Sequence, residues 1–471
     1  MQDTWATSGL DLHMDLAGPR VKRAVLEEAL RVAVRSGRFP AGTRLPSSRA
    51  LAGDLGVARN TVADAYAQLV AEGWLVARRG SGTQVADRPG SNQEAPRLAR
   101  QEPTRHRYDL RAGSPDLSSF PRAAWSAAAR ATLRDAPDGL LGYGDPQGTL
   151  ELRQALASYL ARARGVRADP SRIVICSGFT QGLGLICQAL RGGGATTVAV
   201  EAFGLPASRD TITAAGLRAA TVPVDDDGAD LSGAGDADAV VLTPAHQFPL
   251  GVVLAPQRRT AALRWAEQTG GVVIEDDYDG EFRYYDRPVG AIQGLAPDRV
   301  VYAGTTSKTL APGLRLSWLV VPPSLLHPVV AAKVIVDRQT ETLGQLTLAR
   351  FIASGHYDRH IRRRRHAYRR RRDTLGAALR DQGLPVQVTG ASAGLHALVN
   401  LPGSVNEDDV IADARQRGLA LEGLTSYILD HQPHRPALVV GYAAPPDHAY
   451  TTAIERLRTT LDHCTNPAPR R

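Results

Sequence analysis

The sequence predicts an α/β main domain on a mainly parallel sheet, preceded by a small winged helix-turn-helix unit. Three observations carry this. Beyond residue 107, short Val/Ile runs alternate with Ala/Leu/Arg stretches of helical length, the pattern of parallel strands joined by crossover helices. Before residue 87, apolar residues recur at helical spacing around a tight glycine turn, followed by a short strand–turn–strand pattern. Between them, DRPGSNQEAPRLARQEPTRHR (87–107) is polar, contains proline and has no apolar periodicity, so it is expected to be a linker. The expected layout is therefore 10–86, linker 87–107, and 108–465.

Composition narrows the class. A chain of 471 residues with 43% hydrophobic and 22% charged residues is an ordinary globular chain too long for one small core. The start, MQDTWATSGLDLHMDL, has neither the basic nor the apolar region of a signal peptide, and no apolar run approaches a membrane span. Cys176, Cys187 and Cys464 have no paired spacing, which argues against disulfides and structural zinc. A soluble, cytoplasmic protein with no membrane partner and no metal is expected. The net charge of +8 permits an anionic partner.

In the first block, Leu26, Leu30 and Ala33 mark one amphipathic helix. Ser47 or Ser48 can cap a second, with Leu51 and Leu55 on its buried face and Gly56 as a left-handed stop. A third follows, with Val62, Tyr66, Leu69 and Val70 on one face, and WLVARRGSGTQVA then reads as a hairpin. Arg59, Asn60 and Thr61 open the third helix, where side chains of a recognition helix reach base edges. Arg49 and the hairpin's Arg78 and Arg79 suit phosphate or minor-groove contacts. A small helical domain with solvated arginines fits the bare pattern as well. The run LPSSRALAGDLGVARNTVADAYAQLVAEGW with the wing RRGSGTQV resembles the GntR-family winged helix. That resemblance implies binding to double-stranded operator DNA through Arg49, Arg59, Asn60, Thr61 and Gly80. Ala63 stands where relatives have a further basic residue.

The second block holds a lysine that needs explaining. Of 56 basic residues only Lys22, Lys308 and Lys333 are lysines. Lys22 and Lys333 fit solvated surface positions, whereas Lys308 lies in TTSKTLAPGLRLSW, after an apolar strand and three hydroxyl residues, with Arg315 seven positions on. Lysine, unlike arginine, can lose its proton and form a Schiff base, and hydroxyls with an arginine suit a phosphate monoester. In GGVVIEDDYDGEF a strand ends at Asp276 with Tyr278 two positions later, at the edge where α/β proteins bind ligands; a metal site or a solvated acidic loop are alternatives there. ICSGFTQGLGLICQAL is a strand turning into a helix whose first amides can meet an anion. GGG at 192–194 is expected to be a loop before the strand TTVAV, and VDDDG (224–228) a turn. HIRRRRHAYRRRRDTLGAAL (360–379) reads as a long helix with Ile361, Tyr368, Leu375 and Leu379 buried and a solvated basic face. An imine-forming lysine, a phosphate cradle, a carboxylate for a pyridinium and a phenol for a ring hydroxyl together describe pyridoxal 5′-phosphate.

Residues 108–465 resemble the fold type I, aspartate aminotransferase-like enzymes through YGDPQGTLELRQAL, EDDYDGEF and TTSKTLAPGLRLSW. The resemblance implies that Lys308 is the internal-aldimine lysine, Asp276 pairs with the pyridine nitrogen and Tyr278 bonds the ring hydroxyl. Thr305, Arg315 and the backbone around Phe179 and Thr180 would hold the phosphate, with Tyr143 reaching it from the partner subunit of a homodimer. A GntR winged helix fused to such a domain is the layout of MocR/GabR-type regulators, and TPAHQFPLG (243–251) resembles their loop after the central strand. Two departures stand out. EAFGLP puts Phe203 or Leu205 where relatives have a ring-stacking tyrosine, and LVVGYAA lacks the arginine that binds a substrate carboxylate, Arg435 not being at the matching position. The expectation is a transcription regulator that senses pyridoxal 5′-phosphate, or a small amine or amino-acid effector reacting with it, with weak or no turnover. A working aminotransferase with an accessory DNA-binding domain is the rival.

Overall fold

The computed structural model describes residues 23–78, 82–87, 107–284, 289–380, 383–430 and 434–466. They belong to two compact units that part at residues 104 and 105.

In the first unit, α1 (Arg23–Arg35), α2 (Ser48–Leu55) and α3 (Arg59–Ala71) precede a hairpin of β1 (Leu75–Arg78) and β2 (Gly82–Val85). Ser47 caps α2 by accepting from the Ala50 amide at 3.1 Å, and Gly56 ends it at φ 61°, a conformation only glycine adopts without strain. Leu26, Leu30, Leu51, Val62, Leu69 and Leu75 close the core, so the periodicity assigned the buried faces correctly.

The large unit opens with β3 (Tyr108–Asp109), α4 (Arg122–Asp135) and α5 (Leu150–Arg164). The central sheet is then laid down as β4 (Ile173–Cys176), α6 (Phe179–Gly192), β5 (Thr197–Glu201), α7 (Pro206–Ala214) and β6 (Arg218–Val222). A two-residue hairpin, β7 (Val224–Asp225) and β8 (Gly228–Ala229), places VDDDG at a turn. The sheet continues with β9 (Ala239–Leu242), α8 (Pro256–Thr269), β10 (Val272–Asp276), β11 (Val300–Thr305) and β12 (Ser317–Val320). Its order is β4-β12-β11-β10-β9-β5-β6, and β12 alone runs antiparallel to its neighbours. The central strands are buried on both faces, with Val241, Ile274 and Val301 against one layer and Val240, Val273 and Val300 against the other, which explains their unbroken apolar runs.

The chain ends with α9 (Pro323–Val336), α10 (Thr342–Ala353), α11 (His356–Arg380), β13 (Gln387–Thr389), β14 (Ala397–Asn400), α12 (Glu407–Gln416), β15 (Leu419–Ala420), β16 (Ala437–Val440) and α13 (Asp447–Thr465). β13, β14 and β16 form an antiparallel sheet packed on α11, α12 and α13.

Two expectations need correction. Lys333 is not a surface lysine: it is fully buried, and its Nζ donates to both Asp337 carboxylate oxygens at 2.9 Å and to Thr340 Oγ1 at 2.9 Å. The acid four residues on and the hydroxyl beyond it neutralise and solvate the ammonium inside the fold. The basic run of α11 is not wholly solvated either. Ile361, Tyr368, Leu375 and Leu379 are buried as expected, but Arg364 and Arg371 lie on that same face, one turn from Tyr368 on either side, and both donate to Asp116.

Candidate functional site

α3 begins after Ala58, whose side chain cannot cap, so no side chain occupies its first-turn amides. Arg59 and Asn60 are exposed at that terminus, Thr61 is half-buried, and Arg49 is exposed on α2. Neither Arg49 nor Arg59 forms an ion pair among the described residues. Arg44, which the sequence did not single out, is also exposed, pairs in β-bridge fashion with Gln84, and brings its guanidinium close to Gly82 in the wing. The expected contacts Gly80 and Arg79 lie outside the described residues, as does Lys22.

In the large unit the C-terminal ends of β4, β5, β10 and β11 share one sheet edge, and a cavity of about 300 Å³ opens there. Phe179, Thr180, Asp276, Tyr278, Thr305, Lys308 and Arg315 all line it. Their spacing in sequence is wide, and the parallel sheet brings them together because every crossover returns the chain to the same edge.

At one end lies an anion cradle. α6 starts after Gly178, which offers no side chain to the first-turn amides. Gly178 sits at φ 107°, and a Cβ there would run into the Arg315 guanidinium. Arg315 itself holds φ 53°, an uncommon conformation for a residue with a side chain, and donates to the Ser177 carbonyl. Thr305 Oγ1 donates to Ser307 Oγ at 2.9 Å and accepts from the Ser307 amide at 3.1 Å. Amides, hydroxyls and a guanidinium around a cleft that only glycine keeps open suit a phosphate dianion.

Across the cavity, Lys308 Nζ donates to the Gly113 carbonyl. Burial lowers the Lys308 pKa, opposed by the charges of Asp276 and Asp279, so a larger share of the amine is neutral than in water. Asp276 is pushed up to about 8, mainly by burial, with Lys308 opposing and Asp277, Asp279 and Glu201 adding to the rise. Among the described residues no hydrogen bond reaches the Asp276 carboxylate. A cation such as a protonated ring nitrogen would meet an unpaired acceptor there. The donor set therefore fits pyridoxal 5′-phosphate.

Tyr278 also lines the cavity, and its hydroxyl donates to the His246 carbonyl at 3.0 Å while lying 3.2 Å from His246 Nδ1. His246 Nδ1 in turn contacts Asp279 at 3.0 Å. Tyr143 does not join the cavity. It is 82% exposed, with the Arg338 guanidinium 4.4 Å above its ring. Phe203 and Leu205 both line the wall, Phe203 buried and Leu205 46% exposed, whereas Arg435 is exposed and is not among the lining residues. Sequence reasoning missed Glu201, Gly113 and His396. Glu201 ends β5 just as Asp276 ends β10, so the same strand-end signal was present. It is buried, accepts from Thr243 and Gln247, and is pushed up to about 7 by burial. Gly113 and His396 come from distant segments without any such signal.

Residues 107–456 match the family described as aminotransferase class I and II, and residues 22–85 match the bacterial regulatory proteins of the gntR family. The chain belongs to the MocR type of regulator, a GntR domain followed by a class I and II aminotransferase domain. It is 34% identical to the HTH-type transcriptional regulator YhdI of Bacillus subtilis, over 90% of this chain and 92% of that protein. It is also 33% identical to the HTH-type pyridoxine biosynthesis transcriptional regulator PdxR of Corynebacterium glutamicum, over 85% of this chain and 88% of that protein. Among solved structures, the kynurenine aminotransferase of Pyrococcus horikoshii superposes with a TM-score of 0.68 at 27% identity, covering 76% of this MocR-type chain and 92% of that one.

Proposed function

We propose that this protein is a transcription regulator whose small unit binds double-stranded operator DNA and whose large domain binds pyridoxal 5′-phosphate and senses it, or an amine that reacts with it. The observation that carries this is the convergence of Lys308, Asp276, Tyr278 and the Gly178–Arg315 cradle in one cavity, in a chain that also presents Arg49 and Arg59 around an uncapped helix terminus. We assign the DNA-binding domain to 10–86, the linker to 87–107 and the cofactor domain to 108–465.

Bound there, the cofactor supplies an aldehyde for imine exchange and an electron-withdrawing ring. The residues supply the rest. Lys308, its pKa lowered by burial, would present a neutral amine to that aldehyde. The first amides of α6 around Phe179 and Thr180, with Thr305 and Arg315, would hold the phosphate, and Asp276 would accept a hydrogen bond from the protonated ring nitrogen. Tyr278, fixed by the His246 carbonyl, presents its oxygen to the ring hydroxyl. An amine taking the place of Lys308 would change the charge beside Asp276, a local event able to bias a two-state homodimer and so its paired winged helices. Exposed Tyr143 suits a contact with the phosphate of a partner subunit. A cytoplasmic location accords with operator binding, and among the described residues no helix is long and apolar enough to cross a membrane.

The test sets operator affinity beside turnover. Cofactor or amine is expected to shift operator affinity several-fold to about a hundredfold, a coupling of about 1–3 kcal/mol. Efficient multiple turnover of a common amino acid, with operator affinity unmoved by either ligand, would instead make the protein an aminotransferase with an accessory DNA-binding domain.

A further inference from the structure

Resting on the cofactor reading above, we propose that the effector is a hydrophobic primary amine with no carboxylate, an arylalkyl or branched-alkyl amine rather than an amino acid. Among the described residues, Lys308 and Arg315 are the cations lining the cavity. Lys308 is the reacting amine, and Arg315 is turned to the Ser177 carbonyl at the phosphate end. Arginines just behind the lining segments are engaged elsewhere. Arg209 donates to the Leu429 carbonyl at 2.7 Å, and Arg111 forks onto both carboxylate oxygens of Asp109. His396 lines the wall but is neutral, since burial and the neighbouring His246 and Lys308 hold its pKa far below the ordinary histidine range. Three hydroxyls of the wall are committed as well, Thr243 donating to Glu201, Tyr278 to the His246 carbonyl and Tyr427 to Glu422, and the uncharged hydroxyls of Thr180 and Ser208 offer a carboxylate no counter-charge.

The wall away from the cradle carries a cluster of apolar side chains. Phe203, Phe248 and Tyr427 pack into one cluster with Leu398 and Val439, with Phe248 and Tyr427 edge-to-face at 4.9 Å. Val439 belongs to the LVVGYAA strand, so the stretch in which the sequence lacks an arginine backs the lining residues Phe203, Phe248 and Tyr427 with hydrocarbon. Leu395 and Leu429 extend that lining. A carboxylate entering here would lose its water for no matching cation and would stand in the same cavity as the carboxylates of Glu201 and Asp276. An aromatic or branched alkyl body gains contact on the same surfaces, and its amine reaches Lys308's position at no such cost.

The matched probes are 2-phenylethylamine and L-phenylalanine, which differ only in the carboxylate. Full-length protein loaded with pyridoxal 5′-phosphate is titrated with each while its visible absorption is followed. The expected midpoint for phenylethylamine is at least about tenfold lower, the penalty of roughly one unpaired buried charge. Leu205→Arg places a guanidinium at a half-exposed lining position without disturbing the core, and should tighten phenylalanine binding and shrink or invert the ratio. Equal or tighter binding of phenylalanine by the wild type overturns the proposal. So does a cofactor band that responds to neither probe. If no cofactor band forms at all, the cofactor reading itself falls and this inference with it, an outcome distinct from the other two.

Discussion

Asp276→Asn exchanges one carboxylate oxygen for an amide at the end of β10, in a site where the described residues give that carboxylate no hydrogen bond to lose. In the cofactor-free protein the carboxyl stays protonated to about pH 8, against an ordinary 3.8. The unfolded chain releases that proton near pH 4 and the folded chain does not. The folded state therefore binds one more proton across this window, and stability falls as pH rises from about 4 to about 8, then levels off. Roughly four pH units at about 1.36 kcal/mol each set an upper bound near 5 kcal/mol. Access of solvent to the cavity reduces this to about 2–3 kcal/mol. The variant lacks the titrating group, so urea denaturation of cofactor-free protein should find it more stable than the wild type by about that amount at pH 9, with a gap that widens between pH 5 and 8. Glu275 and Glu281, each pushed up to about 7 by burial, slope both proteins alike and cancel in the difference, while Glu201, which acts on Asp276, adds a smaller contribution. Saturating cofactor, which brings a cation to Asp276, should reverse the order. A gap independent of pH, or a wild type more stable at pH 9 without cofactor, would refute the reasoning.

The other expectations concern named contacts. Lys308→Ala should abolish the borohydride-reducible attachment while the phosphate cradle still allows weak cofactor binding; peptide mapping that finds the attachment on Lys22 or Lys333 would contradict this. Arg59→Ala should cost about 1–3 kcal/mol of operator affinity and relax selectivity at one base pair, whereas Arg49→Ala should weaken all sequences alike and flatten the salt dependence, both read by binding assays over a salt series. Asp116→Ala strands the buried guanidinium of Arg364 and leaves Arg371 with Asp447 and the Tyr442 and Ala443 carbonyls, so the large unit should lose about 3–5 kcal/mol in denaturant unfolding; a loss under 1 kcal/mol would mean that water replaces the carboxylate.

Local chemistry made much of this protein legible in one dimension. Ser47 and Gly56 announce the ends of α2 because capping is decided within four residues. Continuous apolar runs betray β9, β10 and β11 because strands covered on both faces have no polar side. Lys308 stood out because only a lysine can form the imine, and Asp276 because it ends a buried strand. Tertiary structure decided what depends on distant segments meeting. Lys333 reads as a surface residue although its partners Asp337 and Thr340 are near in sequence, because only the packing of α9 against the central sheet buries it. Arg364 and Arg371 read as solvated until Asp116, some 250 positions earlier, arrives between them. Gly113 becomes Lys308's acceptor, and Glu201 and His396 become cavity walls, only when the crossovers return the chain to one sheet edge. Caps and periodicities are short-range and written in neighbouring residues, whereas whether a charge is buried is decided by packing, with its partner four residues away for Lys333 and some 250 for Arg364.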